Sequence, residues 1–148
     1  DSVIPLWKTL IEQDKPLRLT DVRMNRLMFS QSDAVGVIKS SIEECRNNDG
    51  GFIASRLMMA VNMKDLAEVL LDMYNKPSGK IEVVGIRPGE KLDEKLISEK
   101  EISYTYITDD SIMIKQEKNE GDNKLTTEYS TVTADRMTRE EIIELCTE

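Results

Sequence analysis

Histidine does not occur among the 148 residues. The side chain whose ordinary pKa lies nearest neutrality is therefore missing, and with it any Ser-His or Cys-His nucleophile pair and any His-ligated zinc site. Cysteine is nearly absent. Cys45 and Cys146 form no CxxC, so neither a thiolate metal cluster nor a disulfide scaffold is expected, and a reducing compartment, the cytoplasm, is implied. Aromatic residues make up only 5%, too few for a base-stacking platform. No run approaches the roughly 20 consecutive apolar residues that cross a bilayer. The opening DSVIPLWKTLIEQ carries acid where a signal peptide has a basic region. It also lacks an initiator Met, which reads as the interior of a longer protein. There is no GxGxxG and no GxxxxGK, so no dinucleotide-binding or P-loop domain is expected within this chain.

What is present is enough for one ordinary domain: 39% hydrophobic and 32% charged residues in a length that supports a packed core. Residues 1–60 are charge-balanced, and the whole net charge of −8 falls in residues 61–148. A nucleic-acid binder needs a surplus of cations to neutralise phosphates. The second half has the opposite sign, so nucleic acid is excluded as a partner.

Helices and strands alternate without a regular βαβ rhythm, which predicts an α+β fold. Ile4, Trp7, Leu10 and Ile11 lie on one side of a helix over 3–13, with Pro5 in its first turn. Short strands are expected at 17–21 and 24–29. Ser30 or Ser32 caps the next helix, whose apolar stripe is Ala34, Val35, Ile38, Ile42 and Cys45; Cys45 reads as a packed thiol. The run from Asn47 to Gly51 is a breaker, and 51–55 is a candidate strand. Met63, Leu66, Ala67, Leu70, Leu71 and Tyr74 form the clearest helical stripe, opened by Asn62 or a neighbour. A β-branched strand follows at 80–86 and a short helix at 92–97. A hairpin joins 103–108 to 112–115 across Asp109, Asp110 and Ser111. The segment 118–124 is polar and expected to be mobile. Thr138-Arg-Glu-Glu141 is a capping box before a terminal helix. The division expected is a domain over 1–110 and a hairpin, acidic arm and terminal helix over 111–148.

Chemistry is best placed at Val83-Val-Gly-Ile-Arg-Pro-Gly-Glu-Lys-Leu92. A strand ends, Arg87 follows, Pro88-Gly89 turns, and Glu90 is expected to start a helix. An arginine just past a strand's carboxyl end offers a planar fork to phosphate oxygens. A plain polar turn explains the same residues. Arg23 and Arg26, in the irregular Thr20–Arg26 stretch, are a second candidate anion clamp, again against the alternative of an ordinary polar loop. No metal-ligand set is found, and Tyr104 and Tyr106 have no lysine four residues on.

Several motifs occur in a fixed order: Ser2-Val-Ile-Pro-Leu-Trp7, Thr20-Asp21 with Met24-Asn-Arg26, Asp33-Ala-Val35, Asp65-Leu-Ala67 and Gly85-Ile-Arg-Pro-Gly-Glu-Lys-Leu92. Over residues 1 to about 100 the set resembles the C-terminal part of UDP-N-acetylglucosamine 4,6-dehydratases of the polysaccharide-biosynthesis type, extended short-chain dehydrogenases. Asn25 stands where that family usually has Thr. The resemblance implies the substrate-binding part of an extended α/β enzyme whose N-terminal Rossmann domain, with the glycine-rich loop for NAD or NADP and the catalytic Tyr-x-x-x-Lys, is not in this chain. No catalytic residue is then expected here, and the chain alone would be inactive. The reaction implied is oxidation at C4, loss of water across C5–C6 and hydride return, with 5-epimerisation as a variant. Arg26 and Arg87 would face the UDP pyrophosphate. Glu90 would hold a ribose hydroxyl or fix the Arg87 turn, and Val3, Ile4 and Pro5 would line the uridine side. Implied partners are the UDP-sugar, the Rossmann domain of the same protein and further copies in a homo-oligomer. The alternative from another class is a non-enzymatic acidic module that binds a protein.

Overall fold

A computed structural model describes residues 3–47, 51–108 and 111–147. Ser2, Asn48-Asp49-Gly50 of the expected breaker and Asp109-Asp110 of the expected hairpin turn lie outside them. The α+β expectation holds: among the described residues, four helices pack with four small sheets.

Helix α1 (Val3–Glu12) buries Trp7 and Ile11 from the expected stripe. It leaves through Asp14, in the left-handed region at φ 54°, where Lys15 N–H closes onto the Leu10 carbonyl at 2.9 Å. Strand β1 (Leu17–Leu19) alternates buried Leu17 and Leu19 with exposed Arg18, as a half-buried strand must. Strand β2 (Asn25–Met28) follows. In helix α2 (Gln31–Asn47), Ser30 proves to be the cap. Its Oγ accepts from Asp33 N–H at 3.0 Å, and the Asp33 carboxylate accepts from Ser30 N–H at 3.3 Å.

Strands β3 (Phe52–Ser55) and β4 (Met59–Asn62) lead into helix α3 (Met63–Met73). Asn62 caps α3 through its side chain, accepting from Lys64 N–H at 2.9 Å. Six residues of α3 are buried, and Leu66 and Leu70 are 0% exposed. At about 1.5–3 kcal/mol for each fully buried leucine, this helix is the centre of the core. Trp7, Ile11, Leu17, Leu19, Met24, Val61, Ile142 and Cys146 gather round it.

The remaining elements are β5 (Ile81–Val83), β6 (Lys95–Ile97), β7 (Thr105–Ile107), β8 (Ile112–Lys115), β9 (Tyr129–Ser130) and α4 (Arg139–Thr147). β1 pairs in parallel with β5, Leu17 opposite Ile81 and Leu19 opposite Val83. β2 runs antiparallel to β4, Arg26 opposite Val61. β8 lies between β3 and β7, antiparallel to both, and β6 pairs with β9. α4 begins on the expected capping box, Thr138 N–H donating to the Glu141 carboxylate at 2.7 Å, and it packs on α3.

Three local expectations differ from the fold. Residues 92–97 are not a helix: 91–94 is irregular and β6 follows. The Leu92 and Glu94 carbonyls are taken by Asn25 N–H and Thr131 N–H, both at 2.9 Å, so no i→i+4 ladder forms. The 118–124 segment, read as mobile, is anchored by Asn119, which is 5% exposed. Its amide donates to the Thr105 carbonyl at 2.7 Å. The α2 stripe is not packed: Val35, Ile38 and Ile42 are 49%, 59% and 50% exposed, and Cys45 is exposed with them.

Candidate anion and nucleotide cleft

A cleft of about 510 Å³ opens between α1, β1, β2 and α4. Its apolar part is formed by Val3, Ile4 and Trp7 of α1, by Leu19, Met24 and Met63, by Leu27, Met28 and Phe29, and by Leu145. Its polar part is Arg18, Thr20, Arg26 and Glu94. The arrangement sets guanidinium groups beside a broad apolar wall, which suits a ligand with an anionic and a flat apolar end.

Arg26 is the best-held of these side chains, 22% exposed. Its Nη1 donates to the carbonyls of Asn25 at 2.8 Å, Lys91 at 3.1 Å and Leu92 at 3.4 Å. Its Nε lies 3.2 Å from a Glu94 carboxylate oxygen. Nη2 makes no hydrogen bond to the described residues. Because none of their buried side-chain nitrogens or oxygens lacks a partner, Nη2 reaches solvent, and its two N–H groups are free for a ligand.

Asn25 builds this seat. Its backbone N–H holds the Leu92 carbonyl. Its side-chain amide donates to the Asp93 carboxylate at 3.1 Å, and its Oδ1 accepts from Asn62 at 3.2 Å. Asp93 also accepts from Thr131 Oγ1 at 2.9 Å. The Asn25 amide also donates to the Arg23 carbonyl at 3.0 Å, so it gives two hydrogen bonds where the single hydroxyl proton of a Thr could give one.

Arg18 is the opposite case. Its side chain is 71% exposed, and its only ion pair among the described residues, with Glu82, is stretched to 4.0 Å. A pair of that length in water is worth little, so the guanidinium is available at the cleft mouth.

The structure brings together Val3, Ile4 and Arg26 of the expected site residues. Pro5, Arg87 and Glu90 do not line this cleft. Arg87 is exposed, and no described residue bonds its guanidinium. Gly89 takes φ 90°, Glu90 N–H closes the turn onto the Arg87 carbonyl at 3.0 Å, and the Glu90 carboxylate accepts from Arg87 N–H at 3.1 Å. Glu90 thus fixes the Arg87 turn. No helix begins at Glu90, contrary to expectation, so no helix N-terminus adds partial positive charge beside Arg87. The 84–92 segment runs from the β1–β5 pair, where Val84 N–H meets the Leu19 carbonyl at 2.8 Å, to the carbonyls that hold Arg26. The Arg87 turn lies in the chain between these two anchored ends.

Arg23 is spent elsewhere. Its guanidinium grips the Asp21 carboxylate through Nε at 2.9 Å and Nη2 at 2.8 Å. Arg23 side-chain and backbone hydrogen bonds hold the Asp21 pKa down at about 2. Cys146 is buried, and burial pushes its thiol above the ordinary value, so it is a packing residue. Among the cleft residues missed by sequence reasoning are Trp7, Arg18, Glu94 and Leu145. Arg18 had a signal, as the outward residue of an alternating strand. Glu94 and Leu145 reach the cleft only through long-range pairing.

Residues 1–117 match the family described as polysaccharide biosynthesis protein. The UDP-N-acetylglucosamine 4,6-dehydratase (inverting) of Campylobacter jejuni is 36% identical over 106 residues, 71% of this chain and 29% of that protein. A UDP-glucose 4-epimerase of Rickettsia rickettsii is 31% identical over 155 residues, 97% of this chain and 44% of that protein. An uncharacterized membrane protein of Methanocaldococcus jannaschii is 36% identical over 107 residues, 68% of this chain and 31% of that protein. Among solved structures, the X-ray structure of Pen from Bacillus thuringiensis superposes with a TM-score of 0.82 at 27% identity, covering 99% of this chain and 44% of that one. The chain spans less than half the length of these relatives.

The Asp21–Arg23 fork makes a pH-dependent contribution to stability. Because the folded Asp21 value is depressed to about 2 from an ordinary 3.8, the contribution is complete above the ordinary value and disappears as pH falls through about 2. Melting temperatures of wild type and Asp21→Asn should differ at pH 6, wild type the higher, and converge toward pH 2. A difference that is constant over this range contradicts the assignment.

Proposed function

The chain belongs to the polysaccharide biosynthesis protein family, and from that premise we propose that it is the nucleotide-sugar-binding part of a UDP-N-acetylglucosamine 4,6-dehydratase. The observation that carries this reading is the half-buried Arg26 guanidinium, with Nη2 open beside an apolar wall. In the proposed complex, the diphosphate lies against Arg26 and Arg18. Arg87, in the turn that Glu90 holds, closes over it in that complex. The uracil lies against Val3 and Ile4, with Pro5 stiffening the first turn of α1. A diphosphate gripped by preorganised guanidiniums costs no proton transfer, and it fixes where the sugar is presented.

NAD or NADP is assigned to the part of the longer protein outside this chain. The described residues do not fit a dinucleotide: the positive-φ glycines, Gly85 and Gly89, lead into an irregular segment and not into a helix N-terminus that meets a pyrophosphate. The role of this chain's residues is binding and orientation, and the chemistry falls to the other region.

The same reading gives α2 a partner. A stripe of Val35, Ile38 and Ile42 left in water is unfavourable, and β3, with Ile53 65% exposed, is an edge strand of the sheet β3-β8-β7. The relatives carry more than half of their length outside the matched part. That additional region is the proposed occupant of the α2 and β3 face.

Two measurements on the longer protein test these readings. Arg26→Ala should weaken UDP and UDP-N-acetylglucosamine binding in calorimetry by about tenfold to a hundredfold, the cost of one or two charge-assisted hydrogen bonds. Unchanged affinity would remove Arg26 from the site. Ile38→Glu should lower the melting temperature of the longer protein by several degrees, while changing the stability of the isolated chain by no more than about 0.5 kcal/mol. Equal effects in both would mean that α2 has no partner in the additional region.

A further inference from the structure

Helix α4 lies beyond the residues that match the family, yet its Leu145 forms part of the cleft wall. The helix is held at both ends. At its start, Arg139 Nη2 meets the Asp72 carboxylate of α3 at 2.5 Å. At its end, Lys8 Nζ donates to the Cys146 carbonyl at 2.5 Å. Lys8 follows Trp7 directly on α1, so the helix that supplies Val3, Ile4 and Trp7 to one side of the cleft is tied to the helix that supplies Leu145.

Helical spacing puts Ile142, Leu145 and Cys146 on one face. Ile142 and Cys146 are 3% and 1% exposed and belong to the same core cluster as Trp7 and Met63, both of which line the cleft. Leu145, half-buried at the edge of that face, is the α4 residue left to meet a ligand. Its position is set by the core, not by a mobile tail.

We propose that Leu145 is a substrate-binding residue that closes the apolar end of the cleft on the nucleotide base, opposite Val3 and Ile4. The inference rests on the reading of the cleft as a nucleotide-sugar site and extends that site to the terminal helix. A residue on the base side affects binding and leaves the reacting sugar untouched, so its variants change KM and not kcat.

The test uses the longer protein. Leu145→Trp fills the apolar end and should weaken UDP binding at least about tenfold. UDP-N-acetylglucosamine affinity should fall by the same factor, with kcat within about twofold of wild type. Leu145→Ala, which removes contact area without overpacking, should weaken both ligands about threefold or more and serves if the Trp variant fails to fold. Leu145→Met should restore wild-type affinity. Glu144→Trp, on the exposed side of α4, should bind as wild type does. Wild-type protein that binds neither ligand overturns the nucleotide-sugar reading itself. Wild-type protein that binds both, with Leu145 variants unchanged or with Glu144→Trp equally impaired, overturns the role of Leu145 alone.

Discussion

A guanidinium taken partly out of water must have its N–H groups met, and the way Arg26 meets this demand organises the site. Three backbone carbonyls, two of them at Lys91 and Leu92, converge on one nitrogen, and Glu94 takes another. The segment leaving β5 therefore has to return to β2, where Asn25 and Asp93 lock it. Both strand β2 and this crossover thereby border one cavity. The arginine is held without exhausting its donors, which leaves Nη2 available to the proposed ligand.

Charge distribution supports the same economy. The protein is acidic, but the excess acid lies entirely after residue 60. The cleft takes its cations, Arg18 and Arg26, from the balanced first sixty residues, and Glu94 is the one acidic side chain on its wall. Over a Debye length of about 8 Å at physiological salt, an anion entering the cleft responds to these neighbours more than to the net charge. Apolar surface is distributed just as unevenly. α3 is buried on almost every face it can bury, while α2 keeps its stripe exposed, a contrast that points away from α2 as part of this chain's own core.

Much of the fold was legible because its signals are local. The stripes of α1 and α3, the Asn62 cap, the capping box of α4 and the β-branched run of β5 each depend on residues within a few positions of one another. β4 and β9 were not read, and β6 was mistaken for a helix. Their identity depends on partners tens of residues away, such as Lys95 opposite Ser130, and no short window contains that information. The α2 stripe was read correctly as apolar and its Cys45 wrongly as packed, since amphipathic spacing says which face seeks burial and not whether its partner lies in the same chain. Of the residues expected from the motif order, Val3, Ile4 and Arg26 line the cleft. Glu94 and Leu145 were not expected, because a crossover and a terminal helix bring them in.

The most direct test of the central claim is amide hydrogen exchange of the longer protein with and without saturating UDP. The account predicts ligand protection concentrated in the first turn of α1, which supplies Val3 and Ile4, and in β2 and residues 91–94, the segments that carry and hold Arg26. Tight UDP binding with no change of exchange in β2 or in residues 91–94 would contradict it.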